Sequence, residues 1–125
     1  MRFVHELEPE PTALHAARQA VERWCFSQFM DPESLVIVAN ELCSNAIRHG
    51  SGAVLLRASS SPRWVSVSVE QRGKVALLAP AHAHASDLRV SGHGMQLVDA
   101  LAESWGWQAT EARTMLWARL ARQDQ

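Results

Sequence analysis

Hydrophobic positions between Leu35 and Gly50 recur at helical spacing. In LVIVANELCSNAIRHG the apolar residues Leu35, Val38, Ala39, Leu42, Ala46 and Ile47 fall at i, i+3, i+4 and i+7. That is the stripe of a helix buried along one side. Pro32 and Glu33 suit its first turn after Asp31 as N-cap, and Gly50 suits its stop. An earlier helix is predicted from about Ala13 to Met30, capped by Thr12, with the stripe Leu14, Ala17, Ala20 or Val21, Trp24 and Phe29. Before it, Arg2 to Glu8 alternates weakly and reads as a short edge strand that Pro9 and Pro11 end.

After Gly50-Ser51-Gly52 the period changes from 3.6 to 2. Val54, Leu56 and Ala58 share one face of a predicted strand, and Ser60-Ser61-Pro62 makes a turn. From Trp64 to Gln71, Val65, Val67 and Val69 face one way and Ser66, Ser68 and Glu70 the other. The two strands form a plausible antiparallel hairpin. Residues 72–90 hold Gly73, Pro80, Ala81-His82-Ala83-His84-Ala85 and Asp87 without a sustained period. A stretch of that length in a compact domain is commonly a lid or binding loop. A helix from Met95 to Ser104 follows, with Met95 or Leu97, Val98, Leu101 and Ala102 apolar. Two strands then close the chain, Trp105–Gln108 and Thr114–Leu120, the latter with Leu116, Ala118 and Leu120 opposite Met115, Trp117 and Arg119. A hairpin this amphipathic needs helices on one face, so an α+β two-layer sandwich is expected.

Composition narrows the function classes. The 125 residues suffice for one domain (1–125) with a real core, and 47% hydrophobic content fits a globular chain. A net charge of −1 suggests neither nucleic acid nor an anionic membrane as partner. The longest apolar runs are too short to cross a bilayer, and MRFVHELEPEP lacks a signal peptide's apolar segment. Cys25 and Cys43 have no metal spacing and read as free buried thiols, with a reducing cytoplasmic location by default.

Three polar features carry candidate chemistry. Glu41, Asn45 and His49 lie at i, i+4 and i+8, in one row beside the buried stripe. On spacing alone a solvated face is the simpler reading. The sharper one is a site, with a carboxylate that can act as a base and an amide oxygen that can ligate Mg²⁺. Ser91-Gly92-His93-Gly94-Met95 opens a helix. Such a Gly-x-Gly turn is a ready anion site, although it often makes only a tight turn. His82 and His84 could meet His49 at a metal, but without a carboxylate or Cys partner at ligand spacing they read as exposed.

Taken in order, these parts resemble a known family. ELCSNAIRHG is similar to the motif E-L-x-x-N-A-x-x-H-[GA] of the ATPase superfamily shared by gyrase, heat-shock chaperones, histidine kinases and mismatch-repair ATPases (GHKL). SGHGMQLVDALAESWGW and then RTMLWARL resemble its branch of single-domain anti-sigma-factor serine/threonine kinases. The resemblance spans about residues 9 to 121. It implies a Bergerat-type ATP-binding fold, with a mixed, mostly antiparallel sheet covered on one face by about three helices. It implies ATP and Mg²⁺ as cofactors, with Asn45 as the Mg²⁺ ligand and Glu41 as general base. His49 lies where the family contacts the nucleotide less uniformly. Gly92, His93 and Gly94, with Met95 starting the next helix, match the turn over the phosphates. Residues 74–91 match the lid, and Thr114 matches a threonine under the adenine, although spacing alone makes it an ordinary strand residue. The implied partners are an anti-anti-sigma-like protein and a sigma factor, and the family tends to form homodimers.

One departure matters. Gln71-Arg72-Gly73 stands where the family has Asp-x-Gly, whose Asp accepts the adenine amino proton. By strand parity Gln71 follows Val65, Val67 and Val69 inward. A Gln carbonyl can accept the same proton, but in a neutral bond roughly half as strong. Val75 also replaces the motif's second glycine. Three readings follow. One is a Mg-ATP-dependent serine/threonine kinase; the second is a catalytically weak or inactive partner-binding module with degenerate adenine recognition; the third is a structural subunit such as a dimerising regulatory domain. An exposed Trp64 or Trp107 near a strand edge would favour partner binding in any of them.

Overall fold

The computed structural model describes residues 1–50, 52–72, 82–84 and 94–125. The side chains of residues 49 and 82–84 lie outside that set, as do Gly73, Gly92 and His93. In chain order the elements are β1 (Arg2–Leu7), α1 (Ala13–Ser27), α2 (Glu33–His49), β2 (Val54–Ser60), β3 (Trp64–Arg72), β4 (His82–His84), α3 (Gly94–Leu101), β5 (Ser104–Ala109) and β6 (Arg113–Ala121). The strands form one sheet in the order β1-β2-β3-β6-β5-β4, and every described pairing is antiparallel. This is the expected α+β sandwich, with β1 at one edge. The short strand β4 lies within the predicted lid, where the alternation of Ala and His is too brief to announce a strand by itself; it pairs with β5 through Ala83 opposite Trp107.

Alternation decides the layers. Val54, Leu56 and Ala58 of β2, Val65, Val67 and Val69 of β3, and Leu116, Ala118 and Leu120 of β6 are all buried, facing the helices. Leu35, Val38, Ala39, Leu42, Cys43 and Ala46 of α2 meet them in one core, which Val21 and Cys25 of α1 and Met95 and Val98 of α3 extend. Removing this much apolar surface from water is the dominant favourable term for the fold. Burial also pushes the Cys25 thiol up to about 11, aided by the charges of Asp31 and Glu22, and the Cys43 thiol up to about 12.

Two helix ends differ from expectation. The first helix stops at Ser27, not Met30. Phe29 adopts a left-handed conformation (φ 58°), with its N–H bonded to the Phe26 carbonyl (3.1 Å) and the Met30 N–H bonded to that of Cys25 (2.9 Å). These are the two bonds of a Schellman stop, which needs a residue at positive φ. Phe29 is therefore 76% exposed instead of completing the buried stripe. The C-terminal segment clamps this turn. Arg122 donates to the Gln28 carbonyl (2.7 Å) and the Ser61 carbonyl (3.2 Å), and the Gln125 N–H donates to the Phe29 carbonyl (3.0 Å). At the next helix the N-cap position falls on Pro32, one residue after the expected Asp31, whose Oδ1 still accepts the Glu33 N–H at 3.0 Å. The third helix ends at Leu101, because Ser104 already pairs with Arg119 in the sheet.

Candidate functional site

The site is built where the C-terminal half of α2 lies over β3 and β6. Helical spacing turns Asn45 inward with Leu42 and Ala46, so its side chain is 3% exposed. Glu41, one turn earlier, is half-buried at the margin of the same face. Strand parity turns Gln71 and Thr114 inward, each 2% exposed, and register places them directly opposite each other, with Val54 beyond Gln71. Glu70 points the other way and pairs with Arg113 at 3.2 Å. The inward orientation predicted for Gln71 is therefore the one observed.

Hydrogen bonding singles these residues out. Among the described residues, four buried side-chain polar atoms lack a partner, and three of them are Asn45 Oδ1, Asn45 Nδ2 and Gln71 Oε1. The fourth is Trp24 Nε1. A buried polar atom left unsatisfied costs about 1–3 kcal/mol, so three at one site call for a ligand or a water as explanation. Gln71 is half satisfied: its Nε2 donates to the Gly52 carbonyl at 2.7 Å, which fixes the amide and leaves the carbonyl oxygen as a spare acceptor.

Gly50 serves this arrangement in a way the sequence did not disclose. It ends α2 in an extended conformation (φ −125°), which any residue can adopt. A Cβ at Gly50, however, would fall onto the Gln71 amide. The glycine provides clearance, not a left-handed stop.

The predicted site residues thus divide. Asn45, Gln71, Thr114 and the margin residue Glu41 border one buried layer. Met95, 6% exposed in the first turn of α3, packs in the same core, with Gly94 as that helix's first residue. His49 is the last residue of α2, and its side chain, like Gly73, Gly92 and His93, lies outside the described residues. The suggested meeting of His82 and His84 with His49 is outside them too. Of the two tryptophans considered for partner binding, Trp64 is 36% exposed, but Trp107 is 1% exposed under the sheet-helix interface and is a core residue. Among the described residues no group of three or more His, Cys, Asp or Glu could hold a metal, and no helix is long and apolar enough to cross a membrane.

Comparisons with known proteins agree with this arrangement. The sequence profile of the histidine kinase-like ATPase domain matches residues 7–120. Among solved structures, the RsbU and RsbW domains of Rv1364c from Mycobacterium tuberculosis superpose with a TM-score of 0.74 at 16% identity. That match covers 100% of this chain, which spans 33% of the other. The Acinetobacter baumannii histidine kinase AdeS superposes with a TM-score of 0.53 at 12% identity, over 95% of this chain and 67% of that one. At such identities these two likenesses speak for the fold alone. Comparison with the curated proteins returned no match. With a profile that spans nearly the whole sheet and all three helices, the chain belongs to the histidine kinase-like ATPase domain family.

Proposed function

We propose that this chain binds Mg-ATP between α2 and the sheet and uses it to phosphorylate a serine or threonine of a regulatory partner protein. The observation that carries the reading is Asn45, a fully buried amide on the site's helix with both polar atoms unsatisfied. One amide carbonyl, with waters and phosphate oxygens, is a normal environment for Mg²⁺, which keeps much of its hydration and rarely has an all-protein cage. Bound there, Mg²⁺ would supply positive charge to offset that of the phosphates.

The chain's own residues would do the rest. Asn45 Oδ1 would hold the cation, and the N–H groups of the helix opened by Gly94 would receive the phosphates; the resemblance adds Gly92 and His93 to that role. Glu41 accepts the proton of the attacking hydroxyl as its oxygen bonds to the γ-phosphorus and ADP departs. Gln71 Oε1 accepts from the adenine amino group above Thr114. The resemblance of ELCSNAIRHG and SGHGMQLVDALAESWGW to anti-sigma-factor kinases supports an anti-anti-sigma-like protein as substrate, a sigma factor as second partner and a homodimeric state.

Titration calorimetry tests the nucleotide claim. Wild-type protein should take up Mg-ATP weakly, and Asn45→Ala should abolish the heat; equal heats, or none from either protein, would remove it. The phosphoryl-transfer claim needs Glu41→Ala assayed on a partner, with undiminished transfer excluding Glu41 as base. A second reading, a partner-binding module with little catalysis, is favoured by Gln71. Its amide is tied to Gly52 and offers adenine a neutral acceptor in place of a carboxylate.

A further inference from the structure

All three helices pack on one face of the sheet, and the opposite face forms a concave depression of about 770 Å³, on the far side of the sheet from Asn45. Its floor is small and polar, with Ser66 and Ser68 of β3 beside Trp117 of β6. Its rim is cationic. Arg2, Ser59, Ser66 and Arg119 form one cross-strand row, so Arg2 and Arg119 frame the depression from β1 and β6, with Arg57 between them on β2. Among the described residues the ion pairs are Arg113–Glu70 and Arg122–Asp124, and none involves these three arginines. Among the described residues none that lines the depression is acidic. Three guanidinium groups stand on this face; Glu6 and Glu70 lie in the row beyond Arg57, so the positive charge is least offset along the Arg2–Arg119 row.

We propose that this face docks an acidic segment of a partner polypeptide. It is a second surface, independent of the nucleotide site. Arginine forks suit carboxylates, and the serine hydroxyls supply further donors for carboxylate or backbone oxygens. The span fits as well. Three strand spacings separate Arg2 from Arg119, about 14 Å, which is close to the rise of four extended residues. Two carboxylates four positions apart on an extended segment would reach both rims. Single-stranded nucleic acid would want free aromatic faces on which to stack its bases. Here Arg119 already lies over the Trp64 ring, 3.5 Å from its centroid, which holds the guanidinium in place, and among the described residues Trp117 is the one tryptophan that lines the floor, too few rings for a run of stacked bases.

A fluorescently labelled octaglutamate peptide is the probe, followed by anisotropy at low and raised salt. Wild-type protein should bind it, more weakly as salt rises. The double variant Arg57→Gln/Arg119→Gln should bind at least tenfold more weakly, while Arg23→Gln on the exposed side of α1 should match wild type. Nuclear magnetic resonance on unmodified protein gives a reading free of any folding defect: octaglutamate should shift the Ser66, Ser68 and Trp117 signals and leave Asn45 unmoved. Equal affinity in the double variant, or shifts confined to the helical side, would overturn the proposal. So would tighter binding of an oligothymidylate of equal charge, lost in the same variant. A wild-type dimer that the double variant dissociates would assign the face to a second copy instead. Because Mg-ATP binding is measured separately through Asn45→Ala, either claim can fail without the other.

Discussion

At the residue scale, Gln71 and Gly50 are a matched pair. The longer amide reaches over the end of α2 only because Gly50 has no side chain. Gly50→Ala should cost about 1–3 kcal/mol in urea unfolding, as overpacking does. Most of that cost should vanish in a Gln71→Ser background, since contacting residues couple in a double-mutant cycle. Gln71→Asp replaces a neutral acceptor with a charged one. It should tighten adenine-nucleotide binding by about fivefold, from a gain near 1 kcal/mol. Flat or weaker calorimetric affinity would mean that this position does not read the base. The two thiols offer a pH test. Their folded values lie above the ordinary one, so between pH 9 and about 11 the unfolded chain loses thiol protons that the folded chain keeps. The unfolded state then binds fewer protons, and stability should fall as pH rises through this window. With no Tyr and one Lys in the chain, few other groups titrate there. A flat stability profile from pH 8 to 11 would contradict the burial of these thiols.

At the element scale, the stop of α1 shows local strain held by distant contacts. A bulky side chain at positive φ costs about 1–2 kcal/mol. The Phe29 turn is held by its Schellman bonds and by the C-terminal segment through Arg122 and Gln125. Phe29→Gly should therefore raise stability by about 1 kcal/mol, offset slightly by added freedom in the unfolded chain. The side chain lost is 76% exposed, so little packing goes with it. Equilibrium denaturation of the variant measures this, and a loss of stability would show that the ring makes contacts worth more than the strain.

At the scale of the whole molecule, the sheet is one partition with two unlike sides. Its inner side is Val, Leu and Ala covered by α2, with Asn45, Gln71 and Thr114 as the buried polar residues among those described; its outer side mixes serine, arginine and tryptophan with Glu6 and Glu70. Leu116 lies at the centre of the inner side, 3% exposed, and Leu116→Ala should cost about 2–5 kcal/mol. Val4, 62% exposed on the edge strand, should lose under about 0.5 kcal/mol as Val4→Ala. A similar cost at both positions in thermal unfolding would mean that the edge is covered in solution.

Periodicity was enough to read the layers. The α2 stripe from Leu35 to Ala46 and the strict alternation of β3 each satisfy one face, so pattern alone sorts Val69 and Gln71 inward and Glu70 outward. Two motifs in order, ELCSNAIRHG and SGHG, were enough for the family. What pattern could not decide depends on groups far apart in sequence. Phe29 looked like a stripe residue, because only the clamp from Arg122 and Gln125 lets the helix stop before it. Trp107 was open to an exposed edge or a buried reading until its register opposite Leu116 turned it into the core. Gly50 looked like a helix stop until Gln71, 21 residues on, came to rest against it. Local spacing reports which way a side chain faces; what it meets there is set by chain closure, and only the folded molecule brings those partners together.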